Sequence, residues 1–424
     1  MKVVVVGGGW AGCGAAYSAR KSGADVILLE RTDSLLGTGL VGGIMRNNGR
    51  FTATEEMIAM GGDDIFQVID STCRHTNVNF PGHQHASLYD VVKTPAAVTV
   101  FLQKIGVEIQ LQQRVTKVKK EKSHILAVET ASGNLYEGDV FVDATGTAGP
   151  MNHCGKYGNG CCMCALRCPA FGGRVSLAGL CGIQEMTGEK ADATPGAMSG
   201  SCKLLKESLA PEIVKELEEK GVVVVPLPEK LIEDHLSLKA CQQYALKEFA
   251  ENIVLLDTGH AKLMAPFYPL EKLHKVPGFE HARYQDPYAG SQGNSMRFFD
   301  MCPRENSLKV IGMENLFCGG EKAGLLVGHT EALVTGILAG HNSVRYAKGK
   351  ELLVLPRQTA IGEAIAYVGE MMKTTEGLRK KYTFSGSVLF ERMKELELYT
   401  IDCENIKERV DRLGLSGVFA GNAN

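Results

Sequence analysis

The chain has 424 residues, with 46 Lys and Arg against 48 Asp and Glu and a formal net charge of −2. Apolar residues make up 44% and charged residues 22%, the balance of a globular protein and not of a disordered or fibrous one. The length allows two or three domains, the even charge disfavours nucleic acid as a partner, and no apolar run reaches the ~18 residues of a membrane helix.

The N-terminus reads "MKVVVVGGG" with no basic leader or cleavage site, so a cytoplasmic protein is expected. Thirteen cysteines without an export signal point to reduced thiols, or to metal and redox chemistry, and not to a disulfide scaffold.

Residues 2–6 form a continuous apolar run, the pattern of a buried parallel strand. Gly7, Gly9 and Gly12 follow as G-x-G-x-x-G, then a helical segment rich in small residues, then a second apolar strand, "ADVILLE", ending in Glu30. Gly7 permits the tight turn, Gly9 the approach of a pyrophosphate to the backbone, and Gly12 close helix–strand packing. The helix N-terminus offers N–H groups and a positive dipole end to phosphates. Glu30 stands 18 positions after Gly12, where an acid binds ribose hydroxyls, with Arg31 beside it as a further cofactor contact. An acid there disfavours a 2′-phosphate, so FAD or NAD fits better than NADP.

Between these strands and the next motif, His83 and His85 share an i, i+2 spacing that can suit a metal. No third ligand accompanies them, so satisfied or exposed histidines are the expected reading. The basic run "KVKKEK" at 117–122 is flanked by strand-like residues and reads as a solvated hairpin tip. A further buried strand ends in Ala144, Thr145 and Gly146.

Directly after it comes "HCGKYGNGCCMCALRCP". Cys161-x2-Cys164-x3-Cys168-Pro169 matches the last part of a ferredoxin-type run, with glycine at 158 where the first cysteine would fall. Cys154 can supply the fourth thiolate, and Cys162 or Cys181 can substitute. A [4Fe–4S] cluster on Cys154, Cys161, Cys164 and Cys168 is the leading reading. Free or redox-active thiols and a zinc site compete with it.

Residues ~175–300 alternate helical and strand-like stretches and read as an insertion. Arg297, Asp300, Cys302 and Arg304 are its candidates for a substrate face. A late strand then runs into Gly319, Gly320 and Glu321, followed by a glycine-spaced helix that carries His329 and His341. His329 immediately follows Gly328 and could approach a bound flavin; capping or core roles compete for both histidines.

The three separated motifs resemble the two-dinucleotide-binding-domain flavoproteins. The resemblance implies FAD, with Gly7, Gly9, Gly12 and Glu30 at the pyrophosphate and ribose. It implies Val115 at adenine, Thr145 and Gly146 at the turn that closes the first half, and Gly320 and Glu321 at the ribityl chain. The stretch "LLERTDSLLGTGLVGGIMRNNG" is similar to FAD-dependent oxidoreductases in which a glycine-rich loop lies near the flavin.

The C-terminal third narrows the likeness. Gly328, Gly336, Gly340 and Asn342, followed by Pro356-Arg357-Gln358-Thr359-Ala360-Ile361-Gly362, are similar to the GidA/TrmFO group of FAD-dependent tRNA-uridine-modifying proteins. This chain departs from what that group implies in its balanced charge and in one motif. The cysteine that TrmFO-type chemistry uses soon after the first FAD acid is missing, since no cysteine lies between Cys13 and Cys73.

The expected fold is α/β, a Rossmann-like FAD-binding domain with a central parallel sheet and an inserted mixed α+β substrate domain. Residues 1–174 and 306–370 form the two parts of the FAD domain, 175–305 the insertion, and 371–424 a C-terminal helical extension. The expected function is FAD-dependent oxidoreduction beside an iron–sulfur cluster. A folate- and FAD-dependent tRNA-uridine-modifying enzyme is one alternative, an electron-transfer subunit another. A small-molecule or protein redox partner and a homo-oligomer are the expected partners. No side chain is assigned as catalytic acid or base.

Overall fold

The computed structural model describes residues 1–147, 168–190, 193–194, 197–199, 202–233, 236, 242–265, 268–285, 295–297 and 299–421. Cys154, Cys161, Cys162 and Cys164 lie outside the described residues.

The centre is a five-stranded parallel sheet. Its spatial order is Leu316–Cys318, Val140–Asp143, Lys2–Val6, Asp25–Leu29 and Val107–Gln110. Val3, Val4 and Val5 are fully buried, as are Val140, Phe141 and Val142. Strands covered on both faces need this unbroken apolar content, which is why the four valines read as a parallel strand.

Two helices cross on the sheet, Trp10–Lys21 after the first strand and His329–Ala347 after the last. Their approach is set by glycine. A Cβ on Gly336 would stand 2.1 Å from the carbonyl oxygen of Ala11, and one on Gly340 2.1 Å from that of Ala15. The i, i+4 spacing of those glycines puts both on one helix face, so the backbones touch.

Residues 115–130 form the expected hairpin, Val115–Glu121 against His124–Thr130, with a third strand at Leu135–Glu137. Four antiparallel strands make the main sheet of the inserted region: Cys202–Leu204, Ala261–Leu263, Asn252–Asp257 and Val222–Pro226. This sheet packs on an earlier three-stranded one that contains Cys73–Phe80 and His83–Tyr89. Val78, Phe80, Ala86 and Leu88 share a core there with Phe249, Val254, Leu256 and Met264. This layer thus draws on residues before the hairpin as well as on residues 202–264.

The C-terminal helices fold back on the main core through Met372, Tyr382, Phe384, Leu389, Met393, Val410 and Phe419. The Pro356–Gly362 motif builds a helix start. Thr359 Oγ1 accepts from the Gly362 N–H at 2.9 Å, and the Glu56 carboxylate accepts from the N–H groups of Ala360 and Ile361.

Candidate cofactor cleft

The carboxyl ends of the strands are level. Val6 pairs in register with Leu29 on one side and with Asp143 on the other, and Asp143 pairs with Cys318. The residues that leave these strands therefore emerge along one edge: Gly7, Glu30, Ala144 and Gly319. Ligands of open α/β sheets bind outside this edge. One cleft lies there, and it is lined by Gly7, Gly9, Glu30, Arg31, Val115, Thr145, Gly146, Gly320 and Glu321. Segments that are far apart in sequence meet in it because parallel strands all deliver their ends to the same side.

Gly7 has φ +104, and a Cβ there would stand 2.4 Å from the Ala144 carbonyl oxygen. Gly12 does not line the cleft. A Cβ on it would lie 1.7 Å from the Gly7 carbonyl oxygen, so Gly12 acts by letting the helix close on the turn. At Gly9 the nearest atom to such a Cβ is 4.0 Å away, which leaves the approach to the helix N-terminus open.

Glu30 is 6% exposed and braces the loop. Its Oε2 accepts from the Gly8 N–H at 2.7 Å and its Oε1 from the Thr32 N–H at 2.8 Å. Asp143 is the matching brace at the second turn. Its Oδ1 accepts from the Thr145 N–H at 3.1 Å and from Thr145 Oγ1 at 2.6 Å, and its Oδ2 accepts from the Ala178 N–H at 2.9 Å. Thr147 Oγ1 donates to Glu321, which joins the second turn to the late motif.

Three arginines line the cleft with these groups: Arg31, Arg114 and Arg174. Arg31 Nη1 donates to the Gly172 carbonyl at 2.6 Å and Arg114 Nε to the Gly173 carbonyl at 2.8 Å. Burial, and then the neighbouring Arg31, hold Arg114 below the usual guanidinium range. Two cations this close favour an anion beside them. The same contacts tether the short helix Cys168–Phe171 at the Glu30 end of the cleft.

At the Gly37 end the lining is Trp10, Thr38, Gly328 and His329. His329 is the first residue of the late helix, and its ring lies against Gly42, where a Cβ would fall 1.6 Å from Cε1. Tyr89, fully buried, stands behind it. Tyr89 Oη donates to the Gly39 carbonyl at 2.7 Å, accepts from Trp10 Nε1 at 3.3 Å, and lies 3.4 Å from His329 Nδ1.

Other sequence candidates have structural roles. His83 is 2% exposed, stacks on Phe80 and bonds the Gln243 carbonyl, while His85 has its ring nitrogen 3.1 Å from Asn77. His341 is buried against Ser22 and Phe419. Arg304 does not reach a substrate face; its guanidinium bonds the carbonyls of Ala323 and Ile365 inside the core. Asp300 and Cys302 are buried as well.

Asp143, Glu185 and Cys302 bring their ligand atoms within 4.8 Å of one another, a spacing that suits a metal. The ammonium of Lys322 already fills the place of a cation, donating to Glu185, to Ser176 Oγ at 3.0 Å and to the Asp300 carbonyl at 3.0 Å. Those are all three of its protons. Burial opposes its charge, yet Cys302, Asp143 and Glu185 together keep it above the usual lysine range.

The sequence model of the family "Glucose inhibited division protein A" matches residues 2–253 and 268–351. The chain belongs to the GidA family. Over 99% of its length it superposes on the GidA structure of Aquifex aeolicus (form II crystal), with a TM-score of 0.69, 18% identity and 73% of that chain covered. Among curated relatives it is similar to the methylenetetrahydrofolate–tRNA-(uracil-5-)-methyltransferase TrmFO of Bacillus pumilus, 42% identical over 101 residues. That match takes in 23% of this chain and 22% of the relative. The TrmFO of Thermosipho melanesiensis is 28% identical over 149 residues, 33% of this chain and 32% of the relative. The chain thus aligns with less than a third of the length of these curated relatives.

The residues of this GidA-family cleft fit FAD. A glycine turn a Cβ would fill, an open helix N-terminus, a row of arginines and a buried acid make the donor set a dinucleotide pyrophosphate and ribose require. Gly7, Gly9 and the arginines would hold the pyrophosphate, Glu30 the ribose, and Glu321 and Thr145 the chain leading to the ring. Trp10, Arg114 and Arg174 were not marked in the sequence as lining residues, because they are neither motif glycines nor strand-end acids and only the folded turns bring them to the cleft; His329, weighed as a residue that could approach a flavin, does line it.

Proposed function

We propose that the chain is an FAD-dependent oxidoreductase whose cofactor lies across the carboxyl edge of the five-stranded sheet, and that its substrate is a uridine in RNA. The observation that carries the reading is the convergence of the three glycine motifs, from residues 7, 145 and 320, in one cleft. Bound FAD supplies a two-electron carrier. The chain's residues orient it: the glycine turn and arginines take its charge, Glu30 and Asp143 fix the two turns, and the crossing helices close the floor. The TrmFO relatives are tRNA-(uracil-5-)-methyltransferases, which supports uridine as the substrate.

A cysteine nucleophile near the first acid is not part of this reading. Burial pushes Cys13 up to about 12, and burial and then Asp70 push Cys73 up to about 12, so both stay protonated thiols. A second reading, electron transfer through a cluster on Cys154, Cys161, Cys164 and Cys168, rests on the Cys161-x2-Cys164-x3-Cys168 spacing.

Anaerobic purification with flavin, iron and sulfide analysis tests the cofactor, and incubation with a tRNA transcript and methylenetetrahydrofolate tests the substrate. FAD in a one-to-one ratio and a modified uridine are expected. A chain that cannot be loaded with FAD sinks the central reading. Stoichiometric iron and sulfide with an unchanged transcript would move the function to the second.

A further inference from the structure

Four arginines outside the cofactor cleft meet in an open groove of about 660 Å³: Arg357, Arg392, Arg409 and Arg412. They come from three elements of the C-terminal third. Arg357 precedes the helix Ala360–Met371, Arg392 lies in the last turn of the helix Ser387–Glu395, and Arg409 and Arg412 lie in that of Cys403–Arg412. Residues three apart on a helix share a face, so Arg409 and Arg412 reach the groove together. The groove has no lining residue in common with the cofactor cleft.

Two carboxylates line the groove with these four cations, Glu363 and Glu397, so the lining has a surplus of positive charge. Glu363 is 2% exposed and its oxygens are taken: Oε2 accepts from Arg357 Nε at 2.6 Å and Oε1 from Arg392 Nε at 2.6 Å. Glu370, the other partner of Arg357, and Glu56, the partner of Arg409, stand outside the lining. The guanidiniums keep donors in reserve. Among the described residues Arg392 bonds through Nε alone, with its Cζ 4.3 Å from the centre of the Tyr367 ring. Arg409 bonds through Nη1 alone, to Glu56 and to the Leu398 carbonyl. Arg412 is exposed and bonds no described residue. Each guanidinium carries five N–H donors in a planar fork, the geometry that takes two oxygens of one phosphate.

We propose that this groove is a phosphate-binding site that holds the backbone of the RNA substrate, with Arg392, Arg409 and Arg412 as its donors. The even net charge of the chain does not oppose this, because a phosphate responds to the local surplus and not to the sum over the molecule. A groove of this volume has room for a phosphate with its sugar. Phosphate contacts set position and carry no sequence information, so the choice of uridine stays with the cofactor cleft. The inference rests on the reading of the substrate as RNA.

The test compares the wild type with Arg412→Gln and with Arg283→Gln, an exposed arginine outside the groove. Binding of a fluorescein-labelled tRNA transcript to the full chain is measured between about 50 and 200 mM salt. Arg412→Gln should bind about 10-fold more weakly, and its slope of log affinity against log salt should be shallower by about 1. Arg283→Gln should change neither, and FAD binding, read by flavin fluorescence, should be equal in all three. RNA bound with the same affinity and slope in Arg412→Gln, or an equal loss in Arg283→Gln, overturns the groove and leaves the RNA reading standing. Phosphorus NMR of inorganic phosphate separates the other failure. If the wild type binds no RNA but broadens the phosphate line, and Arg412→Gln does not, the groove stands as a site for free phosphate and RNA is overturned as its source. Binding of neither overturns the proposal entirely.

Discussion

Gly336 stands directly over the carbonyl of Ala11, so close that a Cβ would come within 2.1 Å of the oxygen. The contact joins the helix that opens the cleft to the helix that closes it. Gly336→Ala should gain about 1 kcal/mol of helix propensity and lose more to overpacking against backbone, about 1–3 kcal/mol. A net loss in urea unfolding is expected, with weaker FAD binding because the helix N-termini shift. Unchanged stability would show that the helices can move apart freely.

Glu30 both braces the Gly8 turn and faces the cleft. In Glu30→Gln, one of the N–H groups of Gly8 and Thr32 meets an amide NH2 instead of an acceptor. The loss of one charge-assisted bond is worth about 1.5–3 kcal/mol, so FAD affinity should fall at least about 10-fold. Flavin fluorescence quenching measures it. Equal affinity in the variant would remove Glu30 from the site.

The first strand, the glycine turn and Glu30 were legible because each has a local cause: an apolar run, a φ only glycine tolerates, an acid closing a strand. Gly320 and Glu321 were placed by resemblance and by the same strand-end logic. The Tyr89 and His329 pairing was not legible. It joins residues 240 positions apart through a packing contact at Gly42, and no periodicity carries that information. Arg304 misled for the opposite reason. Its loop is polar in sequence, yet the fold buries the guanidinium and satisfies it with backbone carbonyls. Ile44, Val78 and Leu88 likewise share a core with Phe249, Val254 and Leu256, although Leu88, the last of the three, stands 161 residues before Phe249.

Glu56 should make stability fall as pH rises. Burial raises its carboxyl from an ordinary 4.5 to about 7, against the lowering by the Ala360 and Ile361 N–H groups and Arg409. The folded state then holds a proton that the unfolded state releases, so its contribution is complete below about 4.5 and lost as pH passes about 7. The full effect is up to about 3 kcal/mol. Denaturation of the wild type and Glu56→Gln across this window should show the slope in the wild type only.

His341 acts on the acid side with the opposite slope. Burial, then Arg345 and Lys348, lower it from 6.5 to about 4, and its Nε2 is buried without a hydrogen-bond partner among the described residues. The unfolded state binds a proton first as pH drops, so this contribution is complete above about 6.5 and lost toward about 4. His341→Gln should flatten the thermal stability profile over that range. A profile as steep as in the wild type would assign the acid loss to other groups.

Lys322 decides whether the buried cluster beside the cleft is held by charge. Its ammonium is the cation between Glu185, Asp143 and Cys302, with side chain exposures of 1% for Lys322 and 10% for Glu185. Lys322→Met leaves a buried carboxylate without its partner, a loss of about 3–5 kcal/mol. Glu185→Gln in the same chain removes the charge left behind and should recover a large part of that loss, since residues in direct contact do not add. Calorimetry or urea denaturation of the two single variants and the double closes the cycle. Additive losses would mean that Lys322 and Glu185 are stabilised independently, and the cluster would then be a set of separate hydrogen bonds around Asp143 and Ser176 and not an ion pair.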